Sequence, residues 1–188
     1  GKLAEIAFAK FLERNWAIKA KLDFDIHPGA SIDRGDLVSI EIGGIKSIPG
    51  IKVDMKSTKP RSAWAMVDLK EFENRRYDAY VWVKVDLPLN HLARPIFEAV
   101  RNGNVAEIES MIPALKEISA EIACFAWRDE VEKWREFRKG EVVFDPNKPS
   151  KRLFSAKTDN KACPVNELRS ADSELENLVR KITGTGMR

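Results

Sequence analysis

The run Tyr77-Asp78-Ala79-Tyr80-Val81-Trp82-Val83-Lys84-Val85 constrains the fold more than any other stretch of this chain. Aromatic and β-branched residues crowd into it, and both kinds suit a pleated, half-buried surface. Two further strands are predicted upstream. Asp36-Leu37-Val38-Ser39-Ile40-Glu41-Ile42 alternates polar and apolar residues, as a half-buried strand does. In Ile51-Lys52-Val53-Asp54-Met55-Lys56-Ser57 the apolar Ile51, Val53 and Met55 face one way, and Asp54 and Lys56 the other. Gly43-Gly44 and Pro49-Gly50 punctuate the connection, and the two strands are expected to form an antiparallel hairpin.

Around these strands the chain predicts helices. Residues 2–16 are good helix formers. Residues 62–76 are expected to hold a short helix, with Met66, Leu69 and Phe72 at helical spacing. Residues 89–117 read as helical in two pieces, broken near Asn102-Gly103-Asn104 and Pro113. A strand over residues 120–127 is followed by a helix from Arg128 to about Lys139, ended by Gly140. Residues 145–152 form a basic, Pro-containing loop, residues 161–169 an edge strand held by Val165 and Leu168, and residues 171–182 a terminal helix. The expected fold is a single α/β (α+β) domain with one central mixed sheet flanked by helices. Its core covers about 2–85 and 118–170, with a helical insertion over about 89–117. The start, without an initiator Met, leaves open a segment further upstream.

Composition removes several classes of function. With 44% hydrophobic and 32% charged residues, the 188-residue chain is neither disordered nor fibrous. No window reaches the roughly 18 apolar residues of a membrane helix. Cys124 and Cys163 are too few for a disulfide framework or a four-cysteine zinc site, so a reducing cytoplasm is the expected location. The net charge of +3 requires any nucleic acid to be met by a local patch. There is no GxxxxGK[ST] loop, GxGxxG turn or GxSxG elbow. His27 and His91 are the only histidines; His27 reads as a loop residue before a Pro-Gly turn and His91 as a surface or capping residue.

The chemistry that remains is carboxylate chemistry. Asp54 and Lys56 project from one strand face, and Asp36 begins the partner strand, so the turn can bring two carboxylates and an ammonium together. Glu5 shares a helical face with Ala9, Leu12 and Trp16, where a carboxylate is costly unless something compensates it. Oxygen ligands of this kind suit Mg²⁺, which polarises a phosphodiester and lowers the pKa of its bound water. Asp33 competes with Asp36 as the ligand. The plain alternatives are a solvated Asp54–Lys56 pair, a Glu5 that only meets the helix dipole, and an Asp36 that caps a turn.

Glu5 on a first helix, Asp36 at a strand start, Asp54-Met55-Lys56 on an amphipathic strand and the hydrophobic run Tyr77–Val85 together resemble the PD-(D/E)xK nuclease superfamily, most closely a type II restriction endonuclease. Gly35 stands where the motif's name has Pro. The resemblance implies a restriction-endonuclease-like core and a Mg²⁺-dependent endodeoxyribonuclease, with Mn²⁺ able to substitute. It implies that Asp36, Asp54, Glu5 and the Met55 carbonyl hold the metal and that Lys56 positions or activates the attacking water. It further implies double-stranded DNA as substrate and a homodimer, for which the 89–117 insertion offers apolar residues. Candidate phosphate contacts are Ser57, Thr58, Lys59 and Arg61, then Arg75 and Arg76, then Lys148, Lys151, Arg152, Lys157 and Lys161. A structure-specific repair nuclease or Holliday junction resolvase is the alternative within this class. A catalytically silent DNA-binding module is the alternative outside it.

Overall fold

A computed structural model describes residues 1–24, 35–86, 101, 103 and 118–184. His27, Asp33, His91 and the 89–117 insertion, with the dimer surface expected on it, lie outside the described residues apart from positions 101 and 103. The fold is mixed α/β with a central four-stranded sheet flanked by helices. The sheet consists of β4 (Val53–Thr58), β6 (Ala79–Asp86), β7 (Ser119–Trp127) and the short β12 (Arg169–Ser170), in the order β12-β7-β6-β4. Strand β4 runs parallel to β6, β7 runs antiparallel to β6, and β12 runs antiparallel to β7.

Strand β6 is buried on both faces, and its alternation divides the core in two. Ala79, Val81 and Val83 face helix α1 (Lys2–Trp16) and the C-terminal helix α4 (Ala171–Thr183). There they meet Phe8 and Leu12 from α1 and Leu178, Val179 and Ile182 from α4. Tyr80 and Trp82 face the other layer, with Ala65 and Val67 from β5 (Trp64–Asp68), Phe72 from α2 (Leu69–Asn74) and Val131 from α3 (Arg128–Glu132). The long strand, the first helix and the terminal helix stand where the residue pattern puts them.

Three smaller sheets accompany the central one, where a single sheet was expected. The first is β1 (Lys19–Leu22), β2 (Leu37–Ile42) and β3 (Ile45–Ser47). Here the expected hairpin fails: β2 pairs antiparallel with β1 and with β3 across the Gly43-Gly44 turn, whereas β4 joins β6. The buried Val53 and Met55 bring β4 to the larger core.

Residues 62–76 are not one helix. Ala65 and Val67 bury alternately in β5, which pairs with β11 (Asn160–Pro164), and α2 begins only after Asp68, whose Oδ1 accepts the Glu71 N–H at 3.1 Å. Strand pairing overrides the helical spacing of Met66, Leu69 and Phe72. The helix from Arg128 ends at Glu132, because Arg135–Phe137 becomes β8 and seats Phe137 edge-on against Trp64, with ring centroids 5.2 Å apart. The expected edge strand is the middle strand of the sheet β5-β11-β8. The basic loop is a hairpin, β9 (Val142–Asp145) and β10 (Lys148–Ser155), whose turn is held by Asn147 N–H donating to Asp145 Oδ1 at 3.0 Å. Among the described residues, no helix is long and apolar enough to cross a membrane.

Helix α4 is seated by a close backbone approach at Gly50, whose N–H donates to the Ile182 carbonyl at 2.7 Å. A Cβ at Gly50 would stand 2.5 Å from the Lys181 carbonyl oxygen and 3.2 Å from the Gly184 backbone, and backbone cannot swing aside. Gly50→Ala is expected to destabilise the fold by about 2 kcal/mol, in the range of an overpacked core. Urea unfolding checks this; an unchanged midpoint would show that α4 is not held there.

Candidate active site

Strand parity builds the site. Val53 and Met55 point to the α1 layer, so Asp54 and Lys56 must point to the layer of α2. In the parallel register Asp54 lies beside Tyr80 and Lys56 beside Trp82. Strand β4 is also the outer strand of its sheet, so its far edge is available to other groups. Gly35, at φ +88°, turns the chain onto that edge, a conformation that favours glycine. The Asp36 N–H then donates to the Val53 carbonyl at 3.2 Å, and Asp36 Oδ2 accepts the Met55 N–H at 2.6 Å.

The result is a pocket of about 290 Å³ lined by Lys2 and Glu5 of α1, Asp36, Asp54, Met55 and Lys56 of β4's neighbourhood, Glu71 and Arg75 from around α2, and Tyr77, among others. All four carboxylate and lysine positions singled out from the sequence (Glu5, Asp36, Asp54, Lys56) are in it. Glu5 is only 4% exposed and pairs with Lys2 at 2.8 Å. Lys2 also donates to the Asp23 carbonyl. Asp54 is 5% exposed. Its Oδ2 lies 2.8 Å from Lys56 Nζ, an ion pair, and beyond that contact this buried oxygen takes no hydrogen bond among the described residues.

Lys56 is held from two sides, since Glu71 Oε2 is 2.5 Å from its Nζ. The residue pattern did not single out Glu71. A helix spanning 62–76 gives it no special place, and the signal that could have found it is the Asp68 cap three residues earlier. Arg75 Nη1 stands 3.5 Å from Glu71 Oε1 and 3.3 Å from Tyr77 Oη.

Burial pushes the Asp54 carboxyl above its ordinary 3.8; the Lys56 charge pulls it down without prevailing. Burial also works against the Lys56 ammonium, but Asp54 and Glu71 outweigh it and hold its pKa above 10.5. Lys56 has two anionic partners to set against burial, whereas burial of Asp54, reinforced by the Glu71 charge, outweighs the pull of Lys56 and of the Gly1 amino group. Lys56 is a cation at neutral pH. Burial pushes the Cys124 and Cys163 thiols up to about 12 and about 11, so neither is a ready thiolate nucleophile.

The candidate phosphate contacts divide. Arg75 lines the pocket. Ser57 and Thr58 continue β4 past Lys56, and Ser57 Oγ lies 3.5 Å from the Gly1 amino group. Lys59 and Arg61 are exposed in the turn to β5, and Arg76 is exposed beyond α2. Lys148, Lys151 and Arg152 are exposed along β10. Lys161 leaves the set: it is 7% exposed and donates to the Glu132 carbonyl at 2.8 Å and to Glu136 Oε1 at 3.3 Å. Trp82 is a core residue, and Trp64 is half-buried with its indole N–H on the Phe144 carbonyl at 2.8 Å.

The carboxylates of Glu5, Asp36 and Asp54 are oxygen donors of the kind a hard divalent cation takes. Among the described residues no three His, Cys, Asp or Glu side chains stand gathered as a ready metal cage. In this arrangement Lys2 holds Glu5, Lys56 holds Asp54, and Asp36 holds the Met55 N–H. The donors are right in chemical kind for such an ion, and Asp54 Oδ2, ion-paired with Lys56 and otherwise without a hydrogen bond, would have a lone pair to give. No family model, curated protein or solved structure matches this chain.

A buried carboxylate with a raised pKa works against folding. Its cost is fully present above the folded pKa and is relieved as pH falls through that value towards 3.8. Asp54→Asn is therefore expected to raise the melting temperature at pH 7, with the gain shrinking towards pH 4. Scanning calorimetry of both proteins tests this. A lower melting temperature for the variant at pH 7 would mean that the Lys56 pairing outweighs burial.

Proposed function

We propose that the chain is a Mg²⁺-dependent endodeoxyribonuclease of the PD-(D/E)xK type with a restriction-endonuclease-like core. The observation that carries this reading is the buried Asp54 carboxylate, with one oxygen lacking a hydrogen-bond partner, beside Lys56 in a pocket shared with Glu5 and Asp36. Burying charge in this way costs stability, and that cost is repeatedly met at catalytic sites.

Asp54, Asp36, Glu5 and the Met55 carbonyl would hold the ion, with Mn²⁺ able to replace Mg²⁺. When bound, it supplies Lewis-acid polarisation of the phosphodiester and a more acidic water. The rest belongs to this chain's side chains. Lys56, charged at neutral pH, orients the attacking water or a phosphate oxygen by its charge and does not serve as the proton acceptor. Arg75, lining the same pocket, is placed to meet a phosphate oxygen. Water would add to phosphorus and give up a proton to solvent, the bond to the 3′ oxygen would break, and that oxygen would take a proton from solvent, leaving 5′-phosphate and 3′-hydroxyl ends.

DNA as the substrate is supported by the β9–β10 hairpin. From Pro146 to Thr158 the chain has four cations, Lys148, Lys151, Arg152 and Lys157, and no acidic residue. Phe144 and Phe154 stand exposed on the same hairpin, at 44% and 40%. Cations on a two-stranded ribbon suit the phosphates flanking a groove wide enough to admit it. Cutting both strands favours a homodimer, and the biological use that follows from the resemblance is cytoplasmic restriction of foreign DNA.

The test is cleavage of supercoiled plasmid and linear duplex with Mg²⁺ or EDTA. Wild type is expected to cut only with Mg²⁺, and Lys56→Ala to lose about 100-fold or more of the rate. Discrete bands assign a restriction enzyme, and cutting confined to added branched DNA assigns a structure-specific one. No cutting of any substrate sinks the nuclease reading and leaves a DNA-binding module, and equal cutting by Lys56→Ala would show that this pocket is not where cleavage occurs.

A further inference from the structure

We infer that Glu71 is a positioning residue for Lys56, retaining the ammonium in the site when a divalent cation takes Asp54. The inference rests on the metal-site reading above. Lys56 Nζ now sits 2.8 Å from Asp54 Oδ2, the oxygen with coordination capacity to spare. Ammonium and metal therefore compete for one atom. A lysine has three donors and needs anionic partners when half-buried, and this one is 21% exposed at its side chain. Were Asp54 its sole partner, an arriving cation would strip it and leave two like charges side by side. Glu71 Oε2, at 2.5 Å, already offers the second berth.

The berth is rigid. Glu71 lies in the first turn of α2, with its N–H on Asp68 Oδ1. Next to it, Phe72 packs on Tyr80, with ring centroids 6.2 Å apart. Arg128 locks the helix from outside. Its guanidinium lies 4.1 Å over the Phe72 ring and donates to the Phe72 carbonyl at 2.8 Å and the Arg75 carbonyl at 3.0 Å. Arg75 occupies the other oxygen of Glu71, at 3.5 Å, which leaves Oε2 to Lys56. A carboxylate held this firmly keeps Lys56 over the pocket whether or not Asp54 is engaged elsewhere.

The test is Mn²⁺ affinity, measured by electron paramagnetic resonance without DNA. The proteins are wild type, Glu71→Gln, Lys56→Met and the double variant, each first shown to unfold cooperatively. Lys56→Met is expected to bind Mn²⁺ more tightly, because a competing charge is gone. Glu71→Gln is expected to weaken Mn²⁺ about tenfold when Lys56 is present and less than about twofold when it is Met, the signature of coupling between the two. An equal loss in both backgrounds overturns the inference, since Glu71 would then act on the metal directly. So does no loss beside Lys56. Mn²⁺ bound by none of the four proteins defeats the metal site itself, a failure distinct from the other two.

Discussion

The outer edge of β4 is the feature on which the site depends. A strand at the end of a sheet leaves backbone donors and acceptors unpaired on one side, and something must satisfy them. Among the described residues Asp36 meets two of these groups: it gives its N–H to the Val53 carbonyl and takes the Met55 N–H on its carboxylate. That pairing brings the second aspartate to the first. It also explains why a hairpin is unnecessary: β2 can belong to another sheet and still deliver the residue that precedes it. The inner edge of β4 is set by its six-residue parallel ladder to β6, and a slip of one position would turn Asp54 and Lys56 into the α1 layer.

Charge then accumulates where the two core layers meet water. Glu5, Asp36, Asp54 and Glu71 share the pocket with Lys2, Lys56 and Arg75. Asp23 lines it too, so carboxylates outnumber cations there, and the two buried carboxylates, Glu5 and Asp54, are each paired with a lysine. The pairing is uneven, however. Lys56 is the best served and Asp54 the least, and their pKa directions record this. The buried carboxylate that burial most penalises, Asp54, lines the pocket.

Much of this was legible in the sequence because period-two alternation survives tertiary context. Val53 and Met55 against Asp54 and Lys56 had the correct faces before any partner strand was known, and Glu5 on an apolar stripe marked a buried carboxylate. Pairing partners were not legible, because alternation does not say which strand lies alongside. Asp36 was assigned its place near Asp54 through the wrong connection. Residues 62–76 hid more: Met66, Leu69 and Phe72 satisfy helical spacing, but the chain changes from strand to helix at Asp68, and only pairing with β11 decides where. The misreading concealed Glu71, whose value comes from the turn at which α2 starts.

The same segment ties the pocket to the basic hairpin. Trp64, at the start of β5, donates to the Phe144 carbonyl in β9, and the other end of β5 runs into α2 and Glu71. Four residue steps of strand separate Trp64 from Asp68, about 13 Å at ~3.3 Å per step. A ligand that touched both the hairpin and the pocket would have to bridge about that length. On the nuclease reading proposed above, the hairpin's cations would contribute affinity by neutralising phosphates, while the reacting phosphodiester would be held in the pocket, about a strand's length away.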